Sequence, residues 1–399
     1  MKSIFISIFI LINGLSIFAQ NAYITSNDGK VSVINTATDM VVATITTPGN
    51  AYGVCVSPDG KRVYVGYQID NKFTIINTAN NTIINTYNLS GSAQGIVVSP
   101  DSRKVYIALF SNNEIAVYDT LTNAITNYTV GNVPNGMAMS PDGSKLYISN
   151  LQDSSLSVFS TLTNSLITTI DIDQEPVGVA VSPDGSRVYV ACQHNGTLSV
   201  VNALTNTHIT DIQIGPYTEG VCVSPDGSKV YCGSFSNYVK TISTATNTVI
   251  DSVAVGNTPY GIGITKDGSK LYVACESTND VTVINTSTNT VITSVPVGTQ
   301  PFAFGLFIWN GGMVNTATSS EFLNKAIDLY PNPVTNVLNI NTPFDQFDYA
   351  IYNALGEQLI AGQSMQSMFK LSCSNFPAGN YFLILTHAEK SIEIKFVKD

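Results

Sequence analysis

A four-residue turn motif recurs along most of the chain at a nearly constant spacing. Each full copy reads Ser-Pro-Asp followed by Gly or Ser, and the copies begin at Ser57, Ser99, Ser140, Ser182 and Ser224. A degraded copy, Thr265-Lys266-Asp267-Gly268, comes last, and successive copies start 42, 41, 42, 42 and 41 residues apart. Periods of this length are typical of solenoids and propellers, in which each repeat is one supersecondary unit. The spacing therefore predicts a repeat architecture for this region.

Every repeat contains four short runs that are typical of β-strands. In one copy these runs are 178–181 before the turn motif, then 187–192, 198–202 and 208–214 after it. They are rich in β-branched residues and are bounded by Pro, Asp, Asn and Gly, which are strand and turn signals. Four antiparallel strands in one such period make one blade of a β-propeller.

The number of blades follows from counting the strand starts. Third strands are predicted to start at Val31, Phe73, Ile115, Leu156, Leu198, Val239 and Val281. First strands are predicted near Gly53, Gly95, Gly136, Gly178, Gly220, Gly261 and Ala303. The region thus opens with three strands that lack a first strand and closes with an extra first strand, 302–308. Joining the two fragments removes the exposed edges, so we predict an all-β, seven-bladed propeller whose last strand closes the first blade.

Residues 21–310 resemble a known family of repeat proteins. The resemblance lies in the strands that follow the turns and in the Asn-Thr stretches, for example Val63-Tyr64-Val65, Val188-Tyr189-Val190, Leu271-Tyr272-Val273 and Val283-Ile284-Asn285-Thr286. These segments are similar to the YVTN family of β-propeller repeat proteins. That family includes surface-layer and adhesive proteins and resembles lactonase and reductase propellers, so the resemblance implies the fold and leaves the function open.

The N-terminus has the features of an export signal. Lys2 supplies a positive charge, residues 4–18 are almost wholly apolar, and Ala19 is a small residue suited to cleavage before Gln20. The apolar run is shorter than the roughly 20 residues that a membrane-spanning helix needs. We predict a signal peptide over 1–19, a propeller over 20–310, a linker over 311–325 and a mature protein without a transmembrane segment.

The C-terminal residues 326–399 carry four short motifs in a fixed order. They are Leu329-Tyr330-Pro331-Asn332-Pro333-Val334, a Gly356 turn, Phe376-Pro377-Ala378-Gly379-Asn380-Tyr381-Phe382 and Lys395-Phe396-Val397-Lys398. In this order at the extreme C-terminus they resemble the type A sorting domain of the type IX secretion system of Gram-negative bacteria. The resemblance implies a small immunoglobulin-like β-sandwich recognised by the type IX secretion machinery, and a passenger that is secreted or held at the cell surface. An ordinary carbohydrate-binding or spacer sandwich is the alternative.

Charge and cysteine content exclude some classes of function. The chain has 18 basic and 28 acidic residues, a net charge of −10, which disfavours nucleic acid as a partner. We expect this acidity to be spread over the ring. The six cysteines include no C-x-x-C pair, which disfavours a zinc site. Cys222 and Cys232 flank a predicted hairpin turn, so a disulfide between them is an alternative to free, buried thiols.

The candidate site is the channel face formed by the loops that enter each first strand. The residues just before the inner-strand starts differ between copies, and repeat proteins place such variation on the binding face. We predict ligand-binding roles for Tyr52, Gln94, Asn135, Glu219, Tyr260, Phe302, His194, Tyr217 and Glu276, whereas the equivalent position in one copy is Val177. Aromatic, acidic and amide groups together suit a polar organic ligand. The repeated aspartates of the turn motif are instead predicted to cap the backbone of the turns.

The search for catalytic chemistry is mostly negative. Only three histidines are present, and the sequence contains no G-x-S-x-G, H-E-x-x-H or P-loop motif, so we predict no catalytic residues, metal or cofactor. The favoured function is binding of an extracellular glycan, protein or matrix ligand. The alternative is a hydrolase or lactonase-like enzyme that uses Glu175, His194, Glu219 or Glu276 as acid or base.

Overall fold

The computed structural model describes residues 21–308, 328–342, 347–353, 358–366, 368–387 and 390–399. The predicted signal peptide, the predicted linker and Gly356 lie outside the described residues.

The first 27 strands of the described chain form seven antiparallel sheets, six with four strands and one with three. In chain order the sheets contain β1 (Asn21–Ser26), β2 (Lys30–Asn35) and β3 (Met40–Thr46); β4 (Ala51–Val56), β5 (Arg62–Tyr67), β6 (Lys72–Asn77) and β7 (Thr82–Asn88); β8 (Ala93–Val98), β9 (Lys104–Leu109), β10 (Glu114–Asp119) and β11 (Ile125–Thr129); β12 (Pro134–Met139), β13 (Lys145–Asn150), β14 (Ser155–Ser160) and β15 (Ser165–Asp171); β16 (Pro176–Val181), β17 (Arg187–Cys192), β18 (Thr197–Asn202) and β19 (Thr207–Gln213); β20 (Thr218–Val223), β21 (Lys229–Ser234), β22 (Tyr238–Ser243) and β23 (Thr248–Ala254); and β24 (Pro259–Ile264), β25 (Lys270–Cys275), β26 (Asp280–Asn285) and β27 (Thr290–Pro296). A single 3-10 turn, Glu276–Thr278, separates β25 from β26. The predicted seven-bladed propeller is confirmed.

The middle strands of each blade are buried because both faces of the blade pack against neighbouring blades. In β17, Val188 and Val190 join a cluster with Tyr147 of the preceding blade. The alternate residue Tyr189 joins a second cluster with Val230 of the following blade. Successive side chains of a strand point to opposite faces, so one strand contributes to two cores. The propeller core is therefore a series of layers between blades.

The turn motif is stabilised by its own side chains. Ser182 donates its hydroxyl to Asp184 at 2.6 Å, and the backbone amide of Ser186 donates to the same carboxylate at 3.0 Å. These hydrogen bonds lower the pKa of Asp184. Gly185 completes the turn with a φ of 71°, which glycine adopts at little cost. The prediction that the repeated aspartates cap turns is confirmed.

The inner strands approach one another closely around the central channel. A Cβ atom on Gly53 would lie 1.8 Å from the carbonyl oxygen of Gln94, and one on Gly136 would lie 2.0 Å from that of Val177. Contacts this short leave no room for a side chain, so glycine is required at these positions. The glycine of each inner strand thus sets the distance to the next blade.

The closing segment occupies the predicted place but is not a regular strand. It forms antiparallel bridges with β1, Ala22 to Ile308 and Ser26 to Pro301. Ala303 stands where the other blades have glycine, and it adopts a φ of 46°. Because a methyl group does not fit beside the neighbouring carbonyl, the segment bulges, and Phe304 accepts a hydrogen bond from Val54 of the next blade at 3.0 Å. The predicted closure of the first blade is confirmed, with this irregularity as a difference.

A buried hydroxyl links the closing segment to both blades beside it. Thr25 Oγ1 donates to the carbonyl of Tyr52 at 2.6 Å and accepts from the amide of Ala303 at 3.0 Å. Ser149 makes the equivalent pair of hydrogen bonds inside the ring, to Val177 at 2.7 Å and from Gly136 at 2.9 Å. The seam is therefore hydrogen-bonded in the same way as an interior boundary between blades.

A second link across the seam is electrostatic. Basic residues at the start of second strands reach the turn between the outer strands of the next blade, as Arg187 Nη1 does to the carbonyl of Thr244 at 2.6 Å. At the seam Lys270 Nζ lies 2.7 Å from a carboxylate oxygen of Asp39, and both side chains are largely buried. The ring closure thus carries an ion pair where the interior boundaries use neutral acceptors.

The six cysteines are free and buried, so the disulfide alternative is wrong. The hairpin register pairs Cys222 with Tyr231 and Val221 with Cys232. The two sulfur-bearing side chains consequently belong to different clusters on opposite faces of the sheet. Burial also raises the pKa of the Cys55 thiol to about 12.

The C-terminal residues form a separate small β-sandwich, as predicted. Its described strands are β28 (Asp328–Tyr330), β29 (Val337–Asn341), β30 (Phe347–Asn353), β31 (Gln358–Ser364), β32 (Met368–Ser372), β33 (Gly379–His387) and β34 (Lys390–Lys398). One sheet has the order β28-β29-β32 and the other β31-β30-β33-β34. Leu338, Ile351, Leu383 and Phe396 lie in the core between them.

The short C-terminal motifs contact one another in this sandwich. Asn332 accepts a hydrogen bond from the amide of Val397 at 2.9 Å, and Val334 donates to the carbonyl of Val397 at 2.8 Å. Tyr381 donates its hydroxyl to the carbonyl of Pro377 at 2.7 Å. Motifs that are far apart in the sequence therefore converge. Among the described residues, no helix has the length and apolar character needed to cross a membrane.

Replacing Thr25 by valine tests the closure of the ring. We expect the free energy of unfolding to fall by about 1–3 kcal/mol, because valine leaves a buried amide and a buried carbonyl without their partner. Ser149→Ala should cause a loss of similar size, whereas the exposed Thr246→Ala should change stability by less than about 0.5 kcal/mol. Urea unfolding of the four proteins measures this. A Thr25→Val protein as stable as the unmodified chain would contradict the role of the hydroxyl.

Candidate functional site at the channel mouth

The central channel has two different ends. We call the end formed by the loops before the inner strands, and by the loops joining second to third strands, the loop face. The opposite end, which carries the repeated turn motif, is the turn face. All nine predicted ligand-binding residues lie on the loop face or immediately beneath it.

Seven of the inner-strand residues form a ring at the loop-face end of the channel. The ring residues are Tyr52, Gln94, Asn135, Val177, Glu219, Tyr260 and Phe302. Six of them are held next to their neighbours by the close contact of the glycine that follows in the chain, whereas Phe302 is followed by Ala303. Five of them are buried, with Gln94 1% and Glu219 2% exposed. The structure therefore brings the predicted inner-strand residues together.

Aromatic side chains connect this ring to the surface of the loop face. The hydroxyls of Tyr52 and Tyr260 lie 2.9 Å apart, and the Phe302 ring centroid lies 4.9 Å from that of Tyr52. Phe235 lies 6.2 Å from Tyr260 and 5.8 Å from Tyr217, which is 56% exposed. We call these five residues the aromatic arc. The arc is a continuous aromatic surface that runs from the buried ring to solvent.

Two carboxyl groups lie beside the aromatic arc. Burial, opposed by a hydrogen bond from the Gln193 amide and increased by the nearby charge of Glu276, raises the pKa of Glu219 to about 8. Burial also raises the pKa of Glu276, whose carboxylate accepts only a long hydrogen bond, 3.4 Å, from Gln300. Within the described residues neither carboxyl group has a basic side chain within 4.0 Å. Neither carboxyl group therefore has a basic counter-charge when it ionises.

The ring also contains a buried amide without a partner. Neither the nitrogen nor the oxygen of the Gln94 side chain has a hydrogen-bond partner among the described residues, and the same holds for Oδ1 of Asn135. Buried polar atoms without a partner cost free energy and are uncommon in folded proteins. They are expected where a ligand or ordered water supplies the missing hydrogen bonds.

His194 takes a different position from the one that an acid–base site requires. It is exposed on the rim, where Nδ1 lies 3.8 Å from Oε1 of Glu175. Glu219 is instead contacted by Gln193, the residue just before His194. The four candidate acid–base residues thus divide into an inner pair, the buried Glu219 with the half-buried Glu276, and a rim pair. In the described part of the chain no three His, Cys, Asp or Glu side chains are grouped as metal ligands.

Sequence reasoning missed Gln193 and Phe304. Gln193 directly precedes His194, and a histidine is the more obvious candidate for a functional residue. No feature of the repeat predicts the contact between Gln193 and Glu219. Phe304 reaches the Tyr52 ring, at 5.6 Å, only because the closing segment bulges. A third feature was also missed: loop residues before inner strands have positive φ, 54° at Glu175 and 50° at Tyr217. The matching residues Val133, Thr258 and Gln300 adopt the same conformation, so it belongs to the repeat and positions the loops of this face.

Below the ring, the channel is an apolar cavity of about 270 Å³. Apolar side chains such as Met139, Val181 and Val223 line it, and prolines of the turn motif surround its opening on the turn face. Lys266, which replaces a proline in the degraded copy, is the only charged residue in this lining. A polar ligand is therefore better accommodated on the loop face than in the cavity.

The expected even spread of acidity is wrong, because the two faces differ in charge. On the loop face the acidic residues are Asp28, Asp70, Glu114, Asp153, Asp171, Asp173, Glu175, Glu219, Glu276 and Asp280, and the basic residues are Lys30 and Lys72. On the turn face the acidic residues are Asp39, Asp59, Asp101, Asp119, Asp142, Asp184, Asp226 and Asp267, and the basic residues are Lys61, Arg62, Arg103, Lys104, Lys145, Arg187, Lys229, Lys266 and Lys270. The net charges are thus −8 and +1. Lysine and arginine recur at the start of second strands, which always lie on the turn face.

Family comparisons match two parts of the chain. Residues 328–399 match the secretion system C-terminal sorting domain, which indicates export through that secretion system. Residues 120–225 match the family described as lactonase, 7-bladed beta-propeller. No curated protein matches the chain. The similarity to YVTN repeats stays a prediction.

Solved structures share the propeller fold at low sequence identity. A functionally unknown protein from Desulfotomaculum acetoxidans superposes with a TM-score of 0.63 and 17% identity, covering 72% of this chain and 98% of that one. Hydrazine synthase of Kuenenia stuttgartiensis superposes with a TM-score of 0.60 and 18% identity, covering 66% of this chain and 90% of that one. Dihydro-heme d1 dehydrogenase NirN in complex with DHE superposes with a TM-score of 0.57 and 13% identity, covering 74% of this chain and 75% of that one. Identities this low establish the fold alone.

Glu219→Gln should change how stability depends on pH. The folded-state pKa of about 8 lies above the ordinary glutamate pKa of 4.5, so the folded protein holds a proton that the unfolded chain releases between these values. Stability therefore falls as pH rises through this window, by about 1.4 kcal/mol per unit of pKa difference at most. Glutamine removes this loss, so the variant should gain stability relative to the unmodified chain between pH 5 and 8. Urea unfolding midpoints between pH 5 and 8 measure this gain, with Glu175→Gln as the control. The same pH dependence of stability in Glu219→Gln and in the unmodified chain would contradict the raised pKa of Glu219.

Proposed function

We propose that this chain is an exported binding protein whose C-terminal domain directs it through the type IX secretion system and whose loop face binds a polar organic ligand outside the cell. The observation that carries the binding role is the buried Gln94 amide, which lacks hydrogen-bond partners within the ring of predicted ligand-binding residues. The protein is then either released or attached to the cell surface.

Several observations support the export half of the proposal. The N-terminal residues have the pattern of a cleaved signal peptide, and residues 328–399 match a secretion sorting domain. Within that domain the Tyr330-Pro331-Asn332-Pro333 motif is joined to the last strand through Asn332 and Val397. Pro377, Gly379, Tyr381 and Lys398 lie at or beside the same strands. The motif residues therefore converge on one region, with Tyr381 buried beneath exposed residues such as Asn332 and Pro377 that a translocon could recognise.

Deletion of residues 326–399 tests the export half. We expect the truncated protein to stay inside the outer membrane, because it lacks the recognised domain. Met365→Ala, a change at an exposed residue of the same domain, should leave delivery intact. Fractionation of cells and medium, followed by immunodetection of the propeller, measures both. Normal delivery of the truncated protein would contradict the sorting role.

The chemistry of the loop face supports the binding half. Aromatic faces pack against apolar parts of a ligand, while amides and carboxyl groups bond its polar groups. The aromatic arc supplies the first kind of surface, and Gln94, Asn135 and the two glutamates supply the second. Glycans and protein segments both have this mixture of groups. The resemblance to a family that includes surface-layer and adhesive proteins supports the same role.

Array binding with the full secreted chain tests the binding half. We expect retention of a glycan or peptide ligand, and a loss of at least tenfold in affinity for Gln94→Leu and Tyr217→Ala, which remove a polar and an aromatic contact. Leu204→Ala, at an exposed position of the turn face, is the control and should bind normally. No retention of any ligand, or equal retention by all variants, would contradict the assignment of the loop face.

One observation favours a second candidate, a lactonase-like hydrolase. The lactonase family match spans Glu175, His194 and Glu219, and Glu219 is a carboxyl group protonated near neutral pH, as a general acid must be. Hydrolysis of a lactone or glycan by the secreted chain that is abolished in Glu219→Gln would replace binding by catalysis as the function.

A further inference from the structure

The charge of the loop face is uncompensated where it adjoins the aromatic arc. Glu219 and Glu276 lie close enough to the Tyr52 and Tyr260 hydroxyls to raise the pKa of both tyrosines, after burial itself. Neither glutamate has a basic partner within 4.0 Å among the described residues. Elsewhere on this face Lys30 pairs with Asp28 at 2.6 Å. Among the described residues the other carboxylates of this face, apart from Glu175 beside His194, also lack a basic partner within 4.0 Å, so the missing counter-charge extends from the channel mouth over the face.

The surroundings of these carboxyl groups suit an organic cation better than a metal ion. A metal ion such as Ca²⁺ needs six to eight oxygen ligands at short range. Here the two glutamates lie near the hydroxyls of Tyr52 and Tyr260, which belong to the aromatic arc. The faces of aromatic rings attract alkylammonium and guanidinium groups. Tyr217, Phe235, Tyr260 and Phe302 are accessible to solvent at least in part, so a cation can reach their faces.

We propose that the ligand of the loop face is an organic cation, an alkylammonium or guanidinium group bound on the aromatic arc beside Glu276 and Glu219. This inference rests on the proposed binding function and specifies its ligand. Gln94 and Asn135, whose side-chain oxygens lack partners, accept hydrogen bonds from the cation or from the water around it. The net charge of −8 on this face attracts such ligands from a distance and repels anions.

Two sources supply this chemistry, a free polyamine and the lysine or arginine side chains of a protein. The groups that face the two glutamates are the side chains of Gln193, Gln300, Tyr52 and Tyr260, and all four are uncharged between pH 6 and 9. His194 and Glu175 lie farther away, on the rim of the loop face. An amine stays protonated over that range. Binding therefore requires Glu219 to release its proton, so affinity should rise with pH up to about 8 and then level off.

Isothermal titration of the full secreted chain tests the proposal. The probes are spermidine, the peptide Gly-Lys-Gly-Lys-Gly with blocked ends, the same peptide with acetylated lysines, and the neutral sugar maltotriose. We expect spermidine or the lysine peptide to bind, the acetylated peptide and maltotriose to bind at least tenfold more weakly, and protons to be released on binding at pH 7. Preference for spermidine or for the peptide identifies the source.

Variants separate the site from general attraction to an acidic face. Glu276→Gln and Tyr260→Ala should weaken cation binding at least tenfold. Asp70→Asn makes the same charge change at an exposed position of the same face and should weaken it no more than about twofold. His194→Gln should keep the pH dependence. Equal losses in Asp70→Asn and Glu276→Gln, or affinity that does not change with pH, would overturn the proposal.

The outcomes also distinguish this inference from the function on which it rests. Binding of maltotriose or the acetylated peptide at the arc, with no preference for cations, overturns the cationic ligand and leaves the binding function standing. Absence of binding by every probe, together with an array that retains nothing, removes both.

Discussion

The close contact between inner strands is the constraint on which the rest of the structure depends. At each of six blades a glycine faces a carbonyl oxygen of the next blade at a distance that excludes even a methyl group, as Gly53 does with Gln94. Seven sheets that approach this closely leave a narrow channel, and their outer strands must spread apart. The spreading makes room for the aromatic and aliphatic layers between blades, of which Tyr189 and Val188 are typical. Local backbone geometry at the centre thus fixes the packing of the whole ring.

The same contact determines where function can reside. The residue before each glycine is held in the ring of seven at the channel mouth, so its side chain changes the site without changing the blades. Tyr52, Gln94 and Glu219 occupy equivalent positions and differ completely in chemistry. Burial then gives these side chains properties they lack in water, since Glu219 holds its proton to about pH 8. A uniform scaffold therefore carries a site that is not uniform.

Much of this architecture is predictable from the sequence, because the repeat places equivalent residues at equivalent positions. The blades, their number and the closing segment follow from the spacing of turn motifs, and the ring follows from the variable residue before each inner strand. Contacts that depend on departures from the repeat are not predictable in this way. Phe304 enters the aromatic cluster only because Ala303 displaces the chain, and Cys222 misses Cys232 because of the hairpin register. The separation of charge depends on which end of each strand lies on which face, which net charge alone does not indicate.

The irregular closing segment also determines how many ligands one molecule can hold. In a ring of identical blades any binding surface would occur seven times around the axis. Here Phe302 and the bulge at Ala303 mark one sector, from which the aromatic arc extends to Tyr52 on one side and through Tyr260 and Phe235 to Tyr217 on the other. The surface proposed to bind a ligand therefore occurs once per molecule, displaced from its axis, and binding there would be monovalent. Strong attachment to a surface that displays many copies of the ligand then requires many copies of the protein, arrayed side by side.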